Sequence, residues 1–317
     1  MNAADKFLKP NASLVDDRLI WLLGQPHLSD YLSFVKERVI GGDAISPRVL
    51  ADEWRVANDV YYALEKAQAD DADKMKTRPI GKELKLLAAT LRAHPHYQAT
   101  FDSLPTTVEM VELDRLVVWQ SHVGDSFANA HGAALGLDPA PADLFRFCFP
   151  VDRELPPVKI EQMSDDRYRF VSPATDLRAL EAVLLDPTQL ATLHSYGPVT
   201  AAIGLMVGFS ANFLSGIRSD NRILLHNGYH RAYALRSMGI THAPCILQTV
   251  TRKDELALVA DSRVSSDPGF YFKAKRPPML RDFFDPRLAK PLHIRPIDTV
   301  VEIEFKMRDM TSAELSD

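Results

Sequence analysis

The pentapeptide Asn227–Arg231 (Asn-Gly-Tyr-His-Arg) lies between an apolar run and a stretch of helix composition. A helix that begins there presents backbone N–H groups and the positive end of its dipole, and both attract anions. Gly228 lacks the side chain that would block close approach of a phosphate. His230 and Arg231 fall in the first helical turn, where they can add charge-assisted hydrogen bonds. These types and spacings predict a phosphate-binding corner; an ordinary Asn-Gly turn with exposed first-turn side chains is the alternative.

Phosphoryl-transfer chemistry would also need carboxylates to activate a nucleophile or to bind magnesium. Glu112 and Asp114 follow a β-rich apolar run and are the best-placed candidates for catalytic residues. Their alternative interpretation is a pair of exposed charges beside a strand. His226 lies just before the corner. It either faces the site or is a polar residue at a sheet edge whose hydrogen bonds are satisfied there. No spacing of histidine or cysteine is typical of a protein-held metal, so none is predicted.

The elements that must position the corner are readable from the same stretch. Two apolar runs, Asn212–Ile217 and Arg222–His226, are separated by a turn sequence and predict a β-hairpin. A helix over Tyr229–Met238 and a strand over Ala243–Val250 should follow. The result is a strand–helix–strand unit in which the phosphate corner joins the first strand to the helix.

Periodicity elsewhere predicts a helical region at 1–100, a core at 101–250 with an insert near 135–195, and an extension at 251–317. Within the insert, Phe145–Phe149 is expected to be a strand and Leu177–Leu185 a helix. The expected fold class is α+β or α/β: N-terminal helices on a small mixed sheet.

The segment Arg222–Leu247 resembles the ParB/sulfiredoxin superfamily, and Val111–Gln120 is similar to that family's opening strand and following Gln. The resemblance implies binding of a nucleoside triphosphate, ATP or CTP, with Mg²⁺, and phosphate contacts from Asn227, Gly228, His230 and Arg231. This sequence departs from the family pattern: Tyr229 occupies the position of the sulfiredoxin cysteine, Asn227 replaces an acid of the serine kinases, and no helix-turn-helix follows Val250.

Net charge is −5 and the sequence pI is about 6.1, which argues against an extended duplex-DNA surface. A local basic stretch with Lys273, Lys275 and Arg276 could still contact nucleic acid, or it could be a solvated loop. The uncharged segment Pro187–Ile217 is interrupted by Pro198 and polar residues, so we expect a buried element rather than a membrane span. The N-terminus does not resemble a secretory signal, and we expect a cytoplasmic protein without membrane partners. Homo-oligomerisation is left open.

The preferred functional hypothesis is a nucleotide-dependent enzyme that hydrolyses or transfers a phosphoryl group. The alternatives are a DNA-binding or nuclease-like protein and a non-catalytic protein-interaction module. A basic groove that reaches the corner would favour DNA binding. An exposed apolar patch on the N-terminal helices, with a filled corner, would favour the interaction module.

Overall fold

A computed structural model describes residues 17–25, 27–151, 153–191 and 197–307. The chain forms two compact units, here called unit 1 (residues 1–151 and 211–296) and unit 2 (residues 152–210 and 297–317). Helix accounts for about 40% and strand for about 28% of the structure, and the strands lie in several small sheets. The fold class is α+β, as predicted.

Helices and strands are numbered in chain order. The strands of unit 1 are β1 (Asp17–Leu22), β2 (Thr77–Pro79), β3 (Thr106–Glu112), β4 (His122–Gly124), β9 (Ser215–Ser219), β10 (Arg222–Asn227), β11 (His242–Thr249) and β12 (Ala289–Ile294). Its helices are α1 (Leu28–Arg38), α2 (Pro47–Ala67), α3 (Lys85–Ala93), α4 (Pro95–Phe101), α5 (Asp125–Leu135), α6 (Pro141–Cys148), α8 (Tyr229–Ser237), α9 (Lys253–Val259), α10 (Ser262–Ser266) and α11 (Pro268–Phe272).

A five-stranded mixed sheet, in the order β10-β9-β11-β3-β2, is the centre of unit 1. The β9–β10 hairpin turns at Asp220, whose φ of +51° suits a tight hairpin connection. Strand β11 runs parallel to β9 and antiparallel to β3, and α8 makes the connection from β10 to β11. The predicted hairpin, helix and following strand are therefore confirmed.

The first hundred residues are not wholly helical, which corrects the sequence prediction. Strand β1 lies between β12 and β4 in a three-stranded antiparallel sheet. Helices α1 and α2 pack on this sheet through Tyr31, Val35 and Tyr61, which are buried. The partner strand β12 comes from the predicted C-terminal extension, so both ends of unit 1 are joined by β-pairing.

Unit 2 contains β5 (Lys159–Ser164), β6 (Arg167–Ser172), β7 (Leu177–Leu184), α7 (Pro187–Leu190), β8 (Ile203–Phe209) and β13 (Thr299–Glu304). Strands β13, β6 and β5 form one antiparallel sheet, and β7 and β8 form a two-stranded ribbon. One face of the three-stranded sheet carries cross-strand ion pairs, including Arg169–Glu302 at 2.7 Å and Arg167–Glu304 at 3.3 Å. Alternation along β6 places Tyr168 on the opposite face.

Two predicted elements of the insert were wrong. The Phe145–Phe149 stretch lies largely in helix α6, which begins at Pro141. The ring centroids of Phe145 and Phe149, four residues apart, are separated by 4.7 Å, so the two rings pack on one side of the helix. The Leu177–Leu185 stretch is strand β7, because pairing with β8 overrides its helix-like composition. The predicted insert near 135–195 also differs from unit 2, which begins at 152, extends to 210 and includes the last strand.

The uncharged segment Pro187–Ile217 contains α7 and β8 and runs into β9. Much of β8 is exposed, so the expectation of a buried element was wrong for this strand. None of the helices in the described ranges combines the length and apolar character that a bilayer crossing requires. The first 16 residues, for which no secretory signal was predicted, lie outside the described residues, as do residues 308–317.

Candidate functional site

The predicted corner forms where β10 ends and α8 begins. Gly228 is the N-cap of α8 with a φ of +86°, a left-handed conformation that glycine adopts without steric cost. The intrahelical bonds begin with the Ala232 N–H, which donates to the Gly228 carbonyl at 2.9 Å. Asn227 fixes the turn: its Oδ1 accepts from the Gly228 N–H at 2.7 Å, and its Nδ2 donates to the Ala211 carbonyl at 3.3 Å. The sequence therefore places a helix N-terminus and its positive dipole end at this corner.

Gly228 is required for a reason that differs from the predicted one. A Cβ at this position would lie 2.8 Å from Leu214 Cα and 2.9 Å from Leu214 Cδ1. The space that a side chain would take is therefore filled by the protein itself, not left open for a phosphate. Glycine is needed here for its positive φ and for close backbone packing.

Tyr229 is a structural anchor of the corner. Its buried hydroxyl donates to the Leu225 carbonyl at 2.9 Å and accepts from the backbone N–H groups of Trp119, at 2.9 Å, and Gln120, at 3.3 Å. Burial raises the pKa of this phenol, so it remains protonated at neutral pH. Tyr229 therefore ties α8 to the end of β10 and to the chain after β3.

The two basic residues of the corner differ in exposure. Arg231 is only 6% exposed, and its Nη1 donates to Asn212 Oδ1 at 2.7 Å. His230 is partly exposed on the same first turn. Arg231 is therefore part of the packing of the corner, while His230 lies nearer to the solvent.

A partly open cavity of about 180 Å³ lies beside the corner, with Asn227 in its wall. Register places Asn227 opposite Ser215, and Ser215 opposite Ile246, so Gln248 faces the same side of the sheet. The β9–β10 register shifts between Leu225 and Asn227, which makes His226 a β-bulge residue. This bulge explains how two consecutive residues, His226 and Asn227, both line the cavity. The other lining residues are Thr100, Phe101, Ser103, Ala211, Ser215, Gln248, Leu258 and Val259.

Two polar atoms of the cavity wall are buried and have no hydrogen-bond partner: Gln248 Nε2 and His226 Nδ1. Gln248 is only 4% exposed. An unsatisfied buried donor or acceptor costs about 1–3 kcal/mol, so native proteins keep few of them. Burial lowers the pKa of His226, and the nearby Asp261 carboxylate only partly opposes this shift, so the imidazole is neutral at pH 7. A bound ligand could supply the hydrogen bonds that these atoms lack.

The predicted catalytic carboxylates are not in this cavity. Glu112 forms an ion pair with Arg115, three residues along the chain, and Asp114 forms one with Arg236. Arg236 is in the last turn of α8, roughly 10 Å along the helix axis from Tyr229 at a rise of about 1.5 Å per residue. The structure therefore brings Asp114 to the opposite end of the helix from the corner.

The predicted nucleic-acid stretch also needs a correction. Arg276 is buried: its guanidinium forms two 2.6 Å hydrogen bonds with the Asp282 carboxylate and lies 5.4 Å from the Tyr61 ring centroid. An Arg276 side chain held in this way is unavailable to a phosphate group. The prediction that Arg276 contacts nucleic acid was therefore wrong. Lys273 and Lys275 are exposed.

The two cavity residues with unpartnered atoms, His226 and Gln248, differ in whether the sequence alone could identify them. His226 adjoins the motif and could be weighed from sequence as a residue facing the site. Gln248 lies 20 residues beyond Gly228 and had no local signal; only the β9–β11 register brings it to the cavity.

Within the described ranges, no group of three or more His, Cys, Asp or Glu residues is arranged to hold a metal ion. Comparisons of the chain with protein-family models, with curated proteins and with solved structures found no match.

Proposed function

We propose that the protein binds a nucleotide at the Asn227–Arg231 corner, with phosphate at the N-terminus of α8 and another part of the ligand in the adjoining cavity. The observation that carries the proposal is the position of the cavity. It adjoins a helix N-terminus and contains the buried, unpartnered Gln248 Nε2 and His226 Nδ1. A helix N-terminus attracts phosphate, and the unpartnered atoms call for a polar ligand group.

A nucleoside triphosphate, ATP or CTP in the first instance, fits this proposal as a ligand that joins a polyphosphate to a polar ring. The described residues offer no cluster that would hold Mg²⁺ by itself. Magnesium would therefore arrive on the phosphate oxygens of the nucleotide. Hydrolysis or phosphoryl transfer stays part of the proposal, but Glu112 and Asp114 are given no role in it because they are engaged in ion pairs.

The test is calorimetric titration of ATP, CTP, GTP and UTP, each with magnesium, against the wild type and two tryptophan variants. Ser103→Trp introduces a large side chain at an exposed residue of the cavity wall, and Ser266→Trp does the same at an exposed residue away from the wall. We expect Ser103→Trp to weaken binding by about tenfold or more, close to 1.4 kcal/mol, and Ser266→Trp to leave it unchanged. Absence of binding by a folded wild-type protein would refute the proposal.

A further inference from the structure

We propose that strand β8 of unit 2 pairs edge to edge with the same strand of a second copy of this chain. The two β7–β8 ribbons then join into one four-stranded antiparallel sheet around a two-fold axis. This inference goes beyond nucleotide binding and is independent of it. It follows from the exposure, the open edge and the composition of β8.

The β7–β8 ribbon exposes large apolar side chains on both of its faces. On β8, Ile203, Leu205 and Met206 are 66%, 39% and 45% exposed, and on β7 Leu184 is 68% exposed. Alternation along β8 places Met206 on the face opposite to that of Ile203 and Leu205. A ribbon of two strands is marginally stable in water, and further strands are generally needed for independent stability. A strand added beside β8 would therefore both cover apolar surface and extend the sheet.

The hydrogen bonds of the ribbon show which backbone groups of β8 face its outer edge. Within the described residues, β7 is the only strand that pairs with β8. The Leu185 N–H donates to the Ala202 carbonyl at 2.8 Å, and the Ser210 N–H donates to the Asp176 carbonyl at 3.3 Å. Even-numbered residues of this stretch therefore bond towards β7. The odd-numbered residues direct their N–H and C=O groups to the open edge: Ile203, Leu205, Val207 and Phe209.

Strand β8 lacks the features that protect exposed edges from pairing. Natural edge strands carry charged side chains, proline or a β-bulge. In the same unit, β7 carries Arg178, Glu181 and a bulge at Leu180, and β5 carries Lys159 and Glu161. The seven residues of β8 include neither a charge nor a proline. An edge of this composition is open to a further strand.

The second copy is the partner whose chemistry matches this edge. A charged strand would bring its charges against the apolar side chains of β8, whereas β8 itself is uncharged along its whole length. Antiparallel pairing of all seven residues places the two-fold axis at Met206, which then faces Met206 of the second copy. Ile203 pairs with Phe209 and Leu205 with Val207, so these cross-strand pairs are apolar. About eight backbone hydrogen bonds form, and they satisfy the outward groups of both strands.

The size of this contact sets the expected affinity. A single strand pair buries less than the roughly 800 Å² per partner of a standard interface. Smaller interfaces are typical of weak complexes, so we expect a dissociation constant on the order of 10 µM.

Sedimentation velocity of the full chain between about 1 and about 200 µM tests the proposal, since this range brackets the expected constant. We expect Met206→Lys to weaken the dimer by about 30-fold or more, because two like charges face each other at the axis. Met163→Lys is the matched control: Met163 is 48% exposed on β5, and its substitution should leave dimerisation unchanged. A wild-type protein that stays monomeric, or a Met206→Lys protein that dimerises as the wild type does, would overturn the proposal.

A charge-pairing experiment separates loss of pairing from loss of folding. Met206→Glu should be monomeric for the same reason as Met206→Lys. An equimolar mixture of the two variants should form a heterodimer, because opposite charges then face each other across the axis. Only folded ribbons can restore the dimer in this way. A mixture that remains monomeric would overturn the pairing of β8 around Met206.

Discussion

The two ends of helix α8 differ in how their polar groups are satisfied. At the C-terminal end, Arg236 forms an ion pair with Asp114, and its guanidinium lies 5.3 Å from the centroid of the Phe284 ring. At the N-terminal end, His226 Nδ1 and Gln248 Nε2 are buried beside a cavity without partners. Both ends carry charged or polar residues near a helix terminus, and at the N-terminal end the buried atoms without partners line a cavity.

The C-terminal end is explained by stability alone. An arginine in the last turn complements the negative end of the helix dipole, and its ion pair with Asp114 completes the arrangement. The N-terminal end is not explained in this way, because unsatisfied buried atoms lower the free energy of unfolding. Departures of this kind are expected at functional sites. The comparison therefore supports the proposed ligand binding at the N-terminal end.

The largest expected effect is that of Gly228→Ala, compared with Gly239→Ala. Both glycines have a positive φ, +86° and +84°, but a Cβ at Gly239 would meet nothing within 4 Å, whereas at Gly228 it would meet the Leu214 backbone. We expect Gly239→Ala to cost about 1 kcal/mol and Gly228→Ala about 3 kcal/mol in the free energy of unfolding. Urea denaturation measures both. Equal costs would contradict the close packing inferred at the corner.

The next effect compares the two arginines of the helix. Arg231 is buried and bonded to Asn212, while the side chain of Arg236 is 30% exposed. We expect Arg231→Ala to lower the free energy of unfolding by on the order of 3 kcal/mol and Arg236→Ala by about 1 kcal/mol. Thermal and urea denaturation of the two variants provide the comparison. A larger loss of unfolding free energy for Arg236→Ala would show that the C-terminal end of the helix contributes more to stability than the corner does.

A smaller effect is the pH dependence that His226 contributes. Its pKa in the folded protein is lowered by burial, so the unfolded chain binds a proton more readily. The resulting stability is fully present above the unfolded pKa of about 6.5 and is lost as the pH falls through that value towards the folded pKa. We expect His226→Phe to reduce the loss of stability between pH 7 and 5, measured by urea denaturation. An unchanged pH profile would show that His226 is not buried in neutral form.

The smallest effect is expected from Asp114→Asn, which removes one charge of a partly exposed ion pair. We expect a change of less than about 1 kcal/mol in the free energy of unfolding and no change in nucleotide affinity. Any nucleotide turnover should also survive the substitution. Loss of turnover with binding retained would restore the catalytic role that the sequence suggested for Asp114.

Sequence patterns predicted the local elements of the corner well. The β9–β10 hairpin, helix α8 and strand β11 follow from apolar periodicity, a turn at Asp220 and glycines at both ends of the helix. These signals lie within a few residues of the structures they specify. The positions of β9, β10 and α8 needed no information from distant parts of the chain.

Features that depend on distant pairing were predicted less well. The role of Gln248 arises from the register between β9 and β11, and β7 is a strand only because β8 pairs with it. Arg276 looked like an exposed cation, since its partner Asp282 gives no sequence signal for burial. In each case a tertiary contact decides the outcome, and such contacts are not encoded in local periodicity.

The most direct test of the central claim is an experimental structure of the protein with a non-hydrolysable nucleoside triphosphate and magnesium. We expect phosphate oxygens at the first turn of α8 and the base in the cavity, within hydrogen-bonding distance of Gln248 Nε2. Phosphates bound elsewhere, such as beside Lys273 and Lys275, with the cavity unfilled, would contradict it.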